Sequence, residues 1–307
     1  MKKLVGVLAM GTVTVIYAPS ASADDIVSTD DTAHPTESTP AFAASRMSLT
    51  LQAWPAADHF ALLIGDELSV RVASQVFLDL SYAGAFATAR DTDTRADGGL
   101  QQASFRFGAP TIGAHFVGAA TPSFHYFLGG SVTYPFLQDP TARESRAGFL
   151  GAQIDDYYGA DRFARGHFAV RMTSGLEWHA AESLFVRAEL RPVIYAPVDS
   201  AARSDAASSA AFAPEKRTGA SFLLEHAIEL EARSSTGFGV GARLQGVATP
   251  MEVDPEHVLV EPFVAYTPAR AGVTARIGAP VALDRDLGFG MDRNKLAAVK
   301  VVLGGQW

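Results

Sequence analysis

The segment SFLLEHAIELEAR, residues 221–233, sets Glu225, Glu229, Glu231 and Arg233 on one parity. Just upstream, SLFVRAELRPVI (183–194) sets Arg187, Glu189 and Arg191 two residues apart. Residues two apart share one face of a strand. Charges of both signs on neighbouring strands support two chemistries. They can pair into a lattice that satisfies a wall of buried polar groups, or they can line water and sort passing ions by sign. Both readings stand at this point. The same parity rule adds Arg171, Arg243 and Glu261 to the charged face, with Arg46, Arg71, Arg106, Glu177, Asp79, Arg276 and Lys300 further along it.

Other chemistries find less support. The chain has no cysteine, so thiolate nucleophiles and zinc–thiolate sites are excluded. Its 8 histidines are scattered. His115, His125, His167 and His257 fall on the charged parity, and none has the spacing of a metal site. Asp155, Asp156 and His167 are the nearest approach to an acid–base set, and chance proximity among that many histidines is common. His226 falls on the apolar parity without a serine partner. No phosphate-binding loop occurs. The sequence therefore implies no catalytic residues, no metal and no cofactor.

The elements that carry these charges alternate in hydrophobicity. RMSLTLQAW (46–54) shows Met47, Leu49, Leu51 and Ala53 against Arg46, Ser48, Thr50 and Gln52. GHFAVRMTSGLEW (166–178) shows Phe168, Val170, Met172, Leu176 and Trp178 against Arg171, Thr173 and Glu177. This period of two is that of strands with one apolar and one polar face. About 12 such strands, within a range of 10 to 14, are expected from residue 46 on. Their connections alternate long (55–66, 88–102, 137–165, 197–218, 249–256, 283–295) and short (74–75, 118–122, 180–182, 234–236, 268–271). An antiparallel up-and-down meander with tight turns at one end fits that alternation. In the longest connection, Ala147, Leu150, Ile154 and Tyr157 are spaced for a short amphipathic helix, either inside the barrel or capping it.

Four prolines interrupt the pattern. Pro110 coincides with a switch of parity between Phe105/Phe107 and Ile112/Phe116, as an extra residue in a β-bulge would produce. Pro135 and Pro192 fall near strand ends. Pro262 falls mid-strand, where alternation offers no reason for it.

The apolar faces could meet a protein core or hydrocarbon. Strands of about 10 residues suit a tilted membrane span, and the rings of Trp54, Tyr82, Phe86, Phe124, Tyr134, Phe136, Trp178, Phe238, Tyr266 and Trp307 suit its boundaries. Residues 1–23 have a Lys2–Lys3 head, an apolar run and Ala21-Ser22-Ala23 before Asp24, the pattern of a secretory signal peptide. Without Lys2 and Lys3 the rest keeps 23 basic against 33 acidic residues, a net charge of −10, which argues against nucleic acid. Residues 24–44 hold five of the acids and few bulky apolar groups, the composition of a disordered leader. That leaves 45–307 as one folded unit.

The final segment, KLAAVKVVLGGQW, completes a resemblance. With the signal peptide, the alternating loop lengths and a last strand closing on an aromatic residue, the chain resembles Gram-negative outer-membrane β-barrels of porin-like type. Val299, Val301, Leu303 and Trp307 match the family's terminal strand, whereas Gly305 departs from it. The resemblance implies an all-β transmembrane barrel, reached by export through the periplasm, with lipid and the barrel-assembly machinery as partners. It implies a passive pore for ions or small solutes, or else a closed barrel that binds a partner through long outer loops.

Overall fold

The computed structural model describes residues 42–56, 59–90, 101–134, 147–148, 150–151, 154, 158–163, 167–197, 221–248, 257–268, 272–283 and 297–307. Strands are β1 Arg46–Pro55, β2 His59–Ala73, β3 Val76–Arg90, β4 Gln101–Phe107, β5 Thr111–Thr121, β6 Phe124–Thr133 and β7 His167–Ala181. They continue as β8 Leu184–Pro197, β9 Ser221–Arg233, β10 Phe238–Ala248, β11 His257–Tyr266, β12 Gly272–Gly278, β13 Val281–Ala282 and β14 Val299–Gln306. Consecutive strands pair antiparallel, except that β4 and β5 both pair with β3, β12 and β13 both pair with β11, and β12 pairs with β14, which returns to β1. The sheet is therefore a closed barrel. Because β4/β5 and β12/β13 are halves of single staves, it has 12 of them.

Closure gives every stave two partners, so the prolines must sit where a donor is dispensable. At Pro110 the ladder slips. Gly84 pairs with Phe107 and Ser81 with Thr111, so three steps on β3 match four on its partner. That is the extra residue of a bulge, and it keeps Phe107 and Ile112 both facing outward. Pro192 lies where the β7–β8 ladder pauses between Arg171↔Val193 and Ser174↔Leu190. Pro262 lies opposite the gap between β12 and β13, where Pro280 also lacks an N–H. The Pro262 carbonyl still accepts from the Ala279 N–H at 3.0 Å, and the register is the same on either side. The two prolines thus share one interruption, which explains the mid-strand position.

One expected loop is strand. Residues 59–66, counted from the sequence in a long connection although HFALLIG (59–65) also fits an extension of the strand or a neighbouring hairpin, extend β2 to 15 residues. Its outward row, Phe60, Leu62, Ile64, Asp66, Leu68, holds an acid that breaks the alternation and makes the segment look like a loop.

The faces separate as the alternation requires. Leu78, Ile112, Leu128, Met172, Ile228, Val240, Val264 and Val273 are exposed on the outside. A continuous apolar girdle of this size is rare on a soluble surface and is what hydrocarbon would cover. Inside, Gln52, Glu177, Glu225 and Glu261 are at most 1% exposed. Trp54 corrects its sequence assignment. It shares the inward parity of Gln52 and is buried among Ala61, Leu63, Leu259 and Ala298 rather than lying at a membrane boundary.

Candidate functional site

Register builds the charged wall. Across five adjacent staves Glu177 pairs with Arg187, Arg187 with Glu229, Glu229 with Arg243, and Arg243 with Glu261. The result is one hoop of alternating sign, because residues directly opposite on paired strands bring their Cβ atoms within about 5 Å. Arg187 is its hub: Nε donates to Glu177 at 2.6 Å, and Nη1 donates to Glu229 at 2.5 Å and Glu231 at 2.9 Å. Arg276 bridges Glu229 (2.6 Å) and Glu261 (2.9 Å), and Lys300 reaches Glu261 at 3.3 Å. Arg233 clasps both oxygens of Glu231 at 2.8 and 2.9 Å. Nearer the long-loop end, Arg191 donates to Glu189 at 2.5 Å and Arg171 lies 3.6 Å from Glu225.

The depth of the two signs differs. Glu177, Glu225, Glu229, Glu231 and Glu261 are buried, while the side chains of Arg187, Arg191, Arg243, Arg276 and Lys300 keep between 14% and 23% of their surface. Glu189, at 17%, and Arg171 and Arg233, at 7% and 11%, depart from that order, and Glu189 and Glu229 line the cavity together with Arg171, Arg187, Arg191, Arg243 and Arg276. Facing them, β1, β3, β5, β6 and β7 present Thr50, Ser81, Gly113, Gly129, Ser131 and Thr173. These small groups leave a cavity of about 460 Å³ between the walls.

At the long-loop end the cavity meets a plug. Ala147, Leu150, Ile154 and Phe163 are buried against the apolar inner wall formed by Trp54, Leu63, Ala85, Val193, Leu223 and Leu259. The Ile154 N–H donates to the Leu150 carbonyl at 3.0 Å, a helical turn, and Ala160–Phe163 forms a 3-10 turn. A side chain at Gly151 would collide with Ala85, so glycine lets the segment lie flat on β3. Polar contacts pin it: Gln52 Nε2 donates to the Ile154 carbonyl at 2.5 Å, and Tyr158 Oη donates to Glu189 at 3.2 Å. Gly159, at φ 75°, turns its N–H onto Glu225 at 2.8 Å. Arg191 and Arg243 lie 5.0 and 5.6 Å from the Tyr158 ring centroid, within cation–π range.

At the tight-turn end Phe42 is buried against Phe77, Val117 and Phe127. Its carbonyl lies 3.2 Å from Nε2 of His115, whose Nδ1 is 2.7 Å from Asp79. Arg71 donates to the Ala43 carbonyl, and the Trp307 N–H donates to the Ser45 carbonyl at 2.9 Å.

No family model and no curated protein sequence matches the chain. Among solved structures it is similar to an outer-membrane channel from Pseudomonas putida F1, with a TM-score of 0.54 at 9% identity over 90% of this chain and 100% of that one. It is also similar to the NanC porin, with a TM-score of 0.50 at 8% identity over 85% and 98%. The chain has the fold of an outer-membrane β-barrel.

The barrel brings together all ten charged residues singled out from the sequence: Arg171, Arg187, Glu189, Arg191, Glu225, Glu229, Glu231, Arg233, Arg243 and Glu261. Val299, Leu303 and Trp307 are exposed on the outside. Val301 shares their face and pairs with Leu51 across the closing seam. Ala147, Leu150 and Ile154 lie inside the barrel, whereas Tyr157, Asp155, Asp156 and Phe136 lie outside the described residues. Among the described residues no group of His, Asp and Glu could hold a metal. Sequence reasoning missed the apolar lining of the long-loop end. Its signal was present: FLL at 222–224, PVIY at 192–195 and AGAFATA at 83–89 are apolar on both parities, as strands covered on both faces must be.

Proposed function

We propose that the protein is a passive outer-membrane channel for small anions or anionic solutes, shut at its outer end by the plug that carries Ala147, Leu150, Ile154 and Phe163. In outer-membrane barrels the tight turns face the periplasm, which puts the plug outside and Phe42 on the periplasmic side. The observation that carries the reading is the balance of charge around the cavity. Most of the carboxylates are buried, and basic residues outnumber acidic ones among those lining the cavity, so a solute there meets more donors and positive charge than negative charge. A wall that was only structural would have no reason to leave a polar cavity beside it.

The test is the reversal potential across a planar bilayer under a KCl gradient, with the plug loosened by Ile154→Asp. Chloride preference supports the reading, and potassium preference overturns it. Arg191→Gln with Arg243→Gln is expected to move the reversal potential toward cations. The burial of Ala147, Leu150 and Ile154 favours a second reading, a closed barrel that displays its outer loops to a partner. Silence of the Ile154→Asp variant at high protein load, with the barrel folded, supports that alternative.

A further inference from the structure

Asp66 is the only carboxylate on the outward rows of the described strands. Its row on β2 reads Phe60, Leu62, Ile64, Asp66, Leu68, Val70, Val72, so three apolar residues flank it on either side. The carboxylate is exposed. An acid at the middle of a lipid-facing row is unfavourable in hydrocarbon and is normally met by a partner.

Directly across the ladder stands Tyr82 on β3. Its outward row continues through Leu80 and Leu78 toward the tight turn and through Gly84 and Phe86 the other way. The Tyr82 ring lies 6.1 Å from that of Phe107, centroid to centroid. Among the described residues, neither the Asp66 carboxyl nor the Tyr82 hydroxyl has a hydrogen-bond or ion-pair partner. A phenol donates, and a carboxyl accepts whether it is ionised or not. One patch at mid-row therefore carries a donor and an acceptor side by side, both unused.

We infer that this protein forms a dimer in the membrane through the outer face of β2 and β3, with Tyr82 of each copy donating to Asp66 of the other. Symmetry carries the step. Two barrels of the same orientation that meet through one shared patch are related by a two-fold axis along the membrane normal. Facing each other, the copies have left and right exchanged, so the Tyr82 of each stands against the Asp66 of the other. Leu78 and Leu80 beside the pair are exposed, and Leu49 and Leu68 complete an apolar surround. Lipid tails offer the carboxyl no donor. An unrelated protein would have to bring a donor to that depth, whereas this chain already carries one at the matching place. The contact uses the patch on both copies, so the assembly closes at two. The inference does not depend on whether the lumen conducts.

The absence of native cysteine makes the test clean. Leu80 lies beside the axis. In outer membranes oxidised with copper phenanthroline, Leu80→Cys is expected to cross-link to its own copy, giving a dimer and no larger species on non-reducing gels. Ile228→Cys, on β9 across the barrel, is expected to stay monomeric. Added to Leu80→Cys, either Tyr82→Phe or Asp66→Leu is expected to lower the dimer about tenfold or more, because each removes both hydrogen bonds. Phe and Leu are at home on a lipid-facing row, so heat-modifiable mobility is expected to show a folded barrel in each. Monomer alone from folded Leu80→Cys, as much dimer from Ile228→Cys, or a dimer that neither added change lowers overturns the contact. By light scattering the unaltered protein, purified in mild detergent, is expected to have the mass of two chains. The mass of one chain, or of one chain with a different protein, also overturns it.

Discussion

Glu229 shows what one residue holds together. Its two oxygens meet Arg187 at 2.5 Å and Arg276 at 2.6 Å, and Arg243 lies 3.7 Å away. Glu229→Gln keeps the volume and removes the charge, leaving three guanidinium groups short of a counter-ion inside the barrel. Breaking one partner of a buried ionic network costs about 3–5 kcal/mol. The variant is therefore expected to unfold at clearly lower urea concentration, read by tryptophan fluorescence in detergent. If the lumen conducts, the same substitution shifts the reversal potential toward anions. Arg46→Gln is the control: its partner Glu67 is half exposed at 3.6 Å, and such a pair contributes about 0–1 kcal/mol. Equal loss in both variants would contradict the burial described for the wall. The charged set was legible because parity alone assigns a face. The pairing was not, because register across β7–β11 depends on where each turn begins.

At the scale of elements, the plug depends on close approach to β3. Ala83, Ala85 and Ala87 give that stave a flat inner face, and Gly151 has no side chain to collide with Ala85 and lift the helical turn off it. Gly151→Leu is expected to expel the plug while the barrel keeps its heat-modifiable mobility on gels. The expected signature is steady conductance in a planar bilayer where the unaltered protein conducts little. A folded but still silent variant would mean that the plug reseats or that no path lies behind it. The sequence showed this segment's helical spacing but not its location, since Ala147, Leu150 and Ile154 would serve an outer cap equally well. The apolar partner surface on β1, β2, β8 and β9 decides between them. Proline reading had a similar limit. Pro110 announced its bulge through the parity switch, whereas Pro262 is intelligible only once Pro280 is seen across the ladder from it. The length of β2 was hidden by Asp66, which imitates a loop residue while facing outward from a paired strand.

For the whole molecule, the lumen is two constrictions in series around one polar cavity. The outer one is the plug. The inner one is the arm at Phe42, held by Phe77, Phe127, His115 and Arg71 and continuous with β1, whose seam with β14 closes the barrel. Resistances in series are governed by the larger, and the plug buries four described side chains, Ala147, Leu150, Ile154 and Phe163, where the arm buries Phe42. Phe42→Ala alone is therefore expected to leave single-channel conductance unchanged. In the Gly151→Leu background, where the outer block is gone, the same change is expected to raise conductance further. If Phe42→Ala alone opens the channel, the periplasmic arm is the principal barrier and the plug only narrows a path already present. Non-additivity of the two substitutions thus reports the order of the barriers along the axis, which neither substitution reveals by itself.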